Sequence, residues 1–264
     1  MPLATRLRFW LFCGFLACSG TLAAAWLGAE PAIAQSAGPC SATAYDGANY
    51  IVCSFDARRD DIRLFWKGPD NQAYGGFSRL ASALAARGRA LRFAMNAGMY
   101  ETNLTPVGLY IEDGRQRHRA DLRDGVANFH LKPNGVFYIG DGAAGVVETS
   151  RFLADGAKAR FATQSGPMLL IDGRMHPKIS PTGASAKIRN GVGVRDNSLV
   201  FFVLSEEPVT FHAFAEFFRD RLNCQNALYL DGSVSSVYAP NLDRREDPLE
   251  PIGPIVAVTA PSGG

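Results

Sequence analysis

The sequence predicts an α+β fold: mostly antiparallel, hairpin-rich sheets packed with about two main helices in one domain. Three observations predict it. Asp-Gly, Asn-Gly and Asp-Asn pairs interrupt short apolar runs four times, in PVGLYIEDGRQRHRA, HLKPNGVFYIGDG, GPMLLIDGRMHP and GVGVRDNSLVFFVLS. This is the strand–turn–strand signal of β-hairpins. Only two segments have helical spacing, and strands and helices do not alternate as a doubly wound parallel sheet requires.

Residues 1–34 read as a secretory signal peptide. Arg6 and Arg8 precede a long apolar stretch, and Ala32-Ile33-Ala34 supplies the small residues of a cleavage site after Ala34. A lipid-attachment reading through Cys18 is poorer, because Phe15-Leu16-Ala17 is a weak box and apolar residues continue past it. The domain therefore spans 35–264, is expected in the periplasm or outside the cell, and keeps no stable membrane insertion. It retains 25 of the 27 basic and 24 of the 25 acidic residues, a net of +1. That balance offers no basic stripe for nucleic acid and no polybasic segment for a membrane. A small molecule or a glycan is the expected partner.

Export also governs the cysteines. Cys40 and Cys53 can close a short loop in an oxidising compartment, leaving Cys224 over. There is no C-x-x-C, and His118, His130, His176 and His212 are scattered, so no metal site and no cofactor is expected.

Along the chain, NYIVCSFD and IRLFWKG read as two paired strands, followed by FSRLASALAARG as a helix. Ser78 is its expected N-cap, Gly88 its stop, and Leu80, Leu84 and Ala85 share one face. ALRFAMNAGMY is the next strand, then come the four hairpins. VTFHAFAEFFRDRLN is the second helix, capped by Thr210, with Phe211, Phe214, Ala215, Phe218 and Leu222 on one stripe. Such a stripe is core packing rather than a cofactor box. NALYLDG and GPIVAVTA close the chain as buried strands.

Four polar motifs fall at strand ends: MNAGMY, QSGPML, RNGVGV and YLDGSVSS. Each joins a polar residue and glycine to an apolar run, so backbone N–H groups can approach a ligand closely. The last delivers a carboxylate, Asp231, from the buried-looking Ala227–Leu230 into Gly232-Ser233-Val234-Ser235-Ser236. GSVSS is not a G-x-S-x-G nucleophile elbow, since no helix-forming segment follows it.

MNAGMY, PVGLYIEDG, NFHLKPNGVF, TQSGPMLLIDG, IRNGVGV and NALYLDGSVSS, in this order, resemble the phosphodiester glycosidase family over about residues 50–260, most closely its short bacterial members. The resemblance implies hydrolysis of the sugar C1–O–phosphate bond of a phosphodiester. Two departures, Ser233-Val234 after the Leu-Asp-Gly and Asn96-Ala97-Gly98 for a double-glycine form, imply a narrower pocket. The residues fit this chemistry. A phosphate monoester leaves more easily than an alcohol, its second ionisation lying near a pKa of about 6. One carboxylate plus groups that neutralise phosphate can then suffice. Asp231 is the expected base or nucleophile, and Arg189 the bidentate fork for phosphate oxygens. Gly98, Gly166 and Gly232 are expected to offer N–H groups to the same oxygens, and Asn96, Ser165 and Ser235 to position sugar hydroxyls. Asn190, Ser233 and Ser236 complete the expected substrate-binding set. The alternative is a non-catalytic glycan- or envelope-binding protein using the same pocket.

Overall fold

The computed structural model describes residues 38–155, 158–232 and 234–263; the expected leader and Ser233 lie outside them. Three sheets, antiparallel at every pairing, make up the fold. A seven-stranded sheet runs in the order Cys40–Tyr45, Ala48–Asp56, Leu199–Ser205, Asn190–Arg195, Asn226–Asp231, Met168–Ile171, Arg174–Met175. A four-stranded sheet runs Val237–Tyr238, Arg89–Asn96, Ile255–Pro261, Asp61–Phe65. A five-stranded sheet runs Arg115–His118, Tyr110–Glu112, Phe161–Ser165, Gly135–Gly140, Ala143–Glu148.

Hairpins form at three of the four expected turn pairs, and Asp46-Gly47 and Asp141-Gly142 add two more. At Asp46-Gly47, Asp113-Gly114, Asp141-Gly142 and Asp172-Gly173 both central residues have positive φ. That is the type I′ geometry whose twist matches the flanking strands. Asn134-Gly135, also a turn pair in the sequence, is not a turn here. Asn134 is buried, donating Nδ2 to the Phe129 carbonyl and accepting from the Thr149 hydroxyl.

The sheets share one core. Phe202 of the seven-stranded sheet lies 5.0 Å from Phe93 of the four-stranded sheet and 5.7 Å from Phe137 of the five-stranded one, centroid to centroid. Rings at these spacings add directional attraction to the burial that drives the sheets together.

The outer faces carry the helices. Phe77–Ala85 buries Phe77, Leu80 and Leu84 against the four-stranded sheet. Its N-cap is Gly76, not Ser78. Gly76 has no side chain to cap with, and the Asp247 carboxylate from across the chain accepts from Ser78 N at 2.8 Å instead. Thr210 caps the second helix as expected, its hydroxyl accepting from Ala213 N. That helix, Phe211–Glu216, widens into a π-turn over Phe217–Arg221. A third helix, Thr149–Asp155, was not foreseen; its seven residues bury only Thr149 and Phe152, too short a stretch for helical periodicity to stand out. NYIVCSFD and IRLFWKG form strands, but not with each other. Ala48–Asp56 pairs with Leu199–Ser205, and Asp61–Phe65 with Ile255–Pro261, since their apolar faces serve different sheets.

Candidate active site

The strand ends that bear the polar motifs converge where the three sheets meet. Asn96 ends a strand of the four-stranded sheet, Asn190 and Asp231 occupy paired positions in the seven-stranded one, and Ser165 ends a strand of the five-stranded one. Asn190 and Asp231 are opposite each other because the register shifts by one residue beyond them, bulging the strand at Leu230.

A hydrogen-bond chain orients the carboxylate. Asn96 Nδ2 donates to Asp231 Oδ2 at 3.2 Å, and Gly232 N donates to Oδ1 at 2.6 Å. Asn96 Oδ1 accepts from Asn190 Nδ2 at 2.6 Å and from Ser236 N at 3.2 Å. Asn190 Oδ1 accepts from Asp231 N at 2.8 Å. With Asn96 Oδ1 accepting twice, its amide can face Asp231 only as a donor, which fixes which way every group in the chain points. Ser165 and Ser235 donate to the carbonyls of Leu230 and Asp231. Thr163 donates to the Ala97 carbonyl, tying the five-stranded sheet to the same corner.

The expected residues thus come together, but mostly behind the carboxylate. Asn96, Asn190 and Ser165 are fully buried with their polar groups spent on Asp231, on each other or on backbone. They hold the carboxylate and its strand, where sugar contacts were expected. Gly98 (φ 134°) and Gly166 are buried, and a Cβ at either would crowd neighbours: Thr163 Oγ1 at 3.1 Å and the Phe129 carbonyl at 2.6 Å. They let chains pass closely instead of facing a ligand. A Cβ at Gly232 would collide with the Tyr229 hydroxyl.

Arg189 departs furthest from its expected role. It is fully buried, so it is neither a surface charge nor a fork open to phosphate. Nε donates to the Val209 carbonyl at 2.8 Å and Nη2 to the Ser185 carbonyl at 2.7 Å. The guanidinium lies 3.7 Å from the centroid of Phe211. The glycines beside it serve packing: a Cβ at Gly193 would meet Phe218 at 2.6 Å and Cys224 Sγ at 2.7 Å. The helix's aromatic stripe rests on these positions, as Phe214 does at Gly191.

Asp231 opens onto a cavity of about 550 Å³ whose other walls include Tyr100, Glu101, Arg123, Asn128, His130 and Tyr229. Most of this front wall is invisible to periodicity. Arg123 arrives on a loop seated by Gln164, whose Oε1 accepts from Leu109 N and Asp121 N and whose Nε2 donates to the Asp121 carbonyl. Arg123 grips the Asp121 carboxylate through Nε and Nη2 while its side chain stays three-quarters exposed. That contact holds Asp121 down at about 2. Burial, with the Asp231 charge second, pushes Tyr100 up to about 12; burial also takes Tyr229 to about 12, with Arg189 working against it. Both phenols therefore keep their protons and act as neutral donors through the physiological range. Asn128 and His130 were present in the NFHLKPNGVF motif, but nothing in their spacing marked them as cavity residues.

The antiparallel α+β scaffold holds a carboxylate at the mouth of a cavity, an arrangement that a glycoside hydrolase can use. The chain belongs to the phosphodiester glycosidase family, which it matches over residues 89–259. It is 37% identical over 177 residues to the protein YigE of Escherichia coli K12, itself described as uncharacterized, covering 67% of this chain and 69% of that protein. Among solved structures it is similar in fold to the catalytic domain of zebrafish N-acetylglucosamine-1-phosphodiester alpha-N-acetylglucosaminidase, auto-inhibited by its pro-peptide. That match has a TM-score of 0.58 at 17% identity, over 83% of this chain and 81% of that one. A hypothetical protein from Synechocystis shares the fold at a TM-score of 0.53 and 16% identity, over 84% of this chain and 61% of its own.

Proposed function

We propose that the protein hydrolyses the C1–O bond of a sugar-1-phosphodiester, releasing free sugar and a phosphomonoester. The observation that carries this reading is Asp231 at the cavity mouth, its carboxylate oriented by Asn96 and Gly232 and faced across the cavity by Arg123, Asn128 and His130. If configuration inverts, water oxygen bonds to C1 as the C1–O bond breaks, Asp231 taking the water's proton and the bonding pair leaving on the phosphate oxygen. If it is retained, Asp231 itself bonds to C1 as the phosphate leaves with that pair, and water then cleaves the resulting ester to give the sugar. Since the leaving phosphate needs little protonation, one carboxylate with a cation for the phosphate suffices. Arg123 takes the phosphate role first expected of Arg189, because its exposed guanidinium lines the cavity and Nη1 is not engaged by Asp121.

The Cys40–Cys53 disulfide supports work in an oxidising compartment, periplasmic or extracellular. Among the described residues no helix is long and apolar enough to cross a membrane. The test is incubation of the purified protein with methyl phosphodiesters of several sugar-1-phosphates in ¹⁸O-water, followed by ³¹P NMR and mass spectrometry. Label in the free sugar and none in methyl phosphate is expected. Label in phosphate would mean P–O cleavage and overturn the C1 assignment, and no turnover of any diester would leave a glycan-binding protein.

A further inference from the structure

Arg189 is a buried cation that the reaction above leaves without a task. It forms no ion pair among the described residues, and its Nη1 is buried with no hydrogen-bond partner. An uncompensated buried charge is costly, so what it does in return is a question with physical content. Two backbone carbonyls and the Phe211 ring hold the guanidinium in place. Its remaining neighbour is Tyr229, whose ring centroid lies 5.4 Å away and whose hydroxyl feels its charge. The Tyr229 ring is itself clamped edge-on to Phe211, centroids 4.8 Å apart. Its hydroxyl reaches the spot beside Gly232 that a Cβ would fill, neighbours Asn128, and lines the cavity with Asp231.

Resting on the phosphodiester reading of this site, we propose that the Tyr229 hydroxyl is a substrate-binding group that donates to a phosphate oxygen, and that Arg189 is the positioning residue that fixes and polarises it from behind. A neutral donor backed by a buried cation suits an anion: it makes a charge-assisted hydrogen bond without exposing the cation to water. Asn128 on the same wall offers a second donor to the same group. Gly232 is then required for clearance between this hydroxyl and the Asp231 turn.

Tyr229→Phe removes the hydroxyl alone and tests this directly. One hydrogen bond to a charged group corresponds to about a 10- to 100-fold change. We expect that fall in kcat/KM on the methyl diesters of glucose-1-phosphate and N-acetylglucosamine-1-phosphate, and a similar weakening of sugar-1-phosphate binding by calorimetry, at an unchanged Tm. Arg189→Lys should lower kcat/KM several-fold in the wild-type background but less than twofold when Tyr229 is already Phe. A purely structural Arg189 would cost the same in both. Wild-type kinetics and affinity in Tyr229→Phe would overturn the proposal while leaving the hydrolase reading intact. A wild-type protein that binds sugar-1-phosphate through Tyr229 without turnover would sink the hydrolase reading alone. One that neither binds nor hydrolyses would overturn both.

Discussion

Asp231→Asn is near-isosteric, yet it is not neutral in this setting. Both carboxylate oxygens accept hydrogen bonds, from Gly232 N and from Asn96 Nδ2. An amide has one oxygen, so one donor must face an NH₂ group. The Gly232 contact, at 2.6 Å against 3.2 Å, would keep the oxygen. Asn96 cannot turn its amide to compensate, because its Oδ1 already accepts from Asn190 and Ser236. One buried donor is then left facing another, at about 1–3 kcal/mol. A chain of this size loses roughly 2–4 °C per kcal/mol, so Tm should fall by about 2–12 °C. Turnover should fall much further, by about 10²–10⁴ if the carboxylate acts as base, while affinity for sugar-1-phosphate changes little. Thermal denaturation, calorimetry and ³¹P-detected hydrolysis of the purified variant measure the three quantities. A folded variant that hydrolyses at the wild-type rate would refute the catalytic assignment. An unchanged Tm would refute the argument that the amide chain is locked.

Four further outcomes follow from the geometry. Replacing both Cys40 and Cys53 by Ala opens a bridge spanning 13 residues and should cost about 3 kcal/mol, read as a lower urea midpoint. Cys224 is buried and its thiol is pushed up to about 12 by that burial, so it should resist a thiol reagent at pH 8 until the protein unfolds. Gly193→Ala drives a methyl into Phe218 and Cys224 and should destabilise by about 1–3 kcal/mol, checked by the same urea titration. The Arg123 contact holds Asp121 at about 2, against an ordinary value of about 3.9. Its contribution is therefore complete above that ordinary value and lost as pH falls towards 2. Urea midpoints between pH 5 and 2 should drop less steeply in Asp121→Asn than in wild type; equal slopes would show that the contact adds nothing.

Much of the fold was legible because the signals that carry it are local. A two-residue Asp-Gly turn with both residues at positive φ constrains its own strands, whatever surrounds it, so the hairpins could be read in order. Thr210 is likewise readable as a cap, since its hydroxyl bonds three residues along its own chain. Ser78 misled because the group that satisfies the start of its helix is Asp247, a partner no local rule can find. The carboxylate and its buried supports were legible for a related reason. Asp231, Asn96, Asn190 and Ser165 each lie at a strand end with glycine one or two residues on, and strand ends are where a sheet leaves polar groups to be satisfied. What the sequence could not say is which side of these residues faces solvent. A one-residue register shift at Leu230 and the meeting of three sheets turn Asn96 and Asn190 inward to hold Asp231. Arg189 comes just before the strand that Asn190 opens, and its guanidinium is held instead by the Val209 and Ser185 carbonyls. It is enclosed by a helix that begins some twenty residues later in the chain. Arg123, His130 and Tyr229 reach the cavity from a loop, a short 3₁₀ turn and the strand that carries Asp231. The sequence by itself determined the strands, the turns and the carboxylate. Only the tertiary structure decided which neighbours look into the cavity, because that depends on long-range pairing and not on any spacing along the chain.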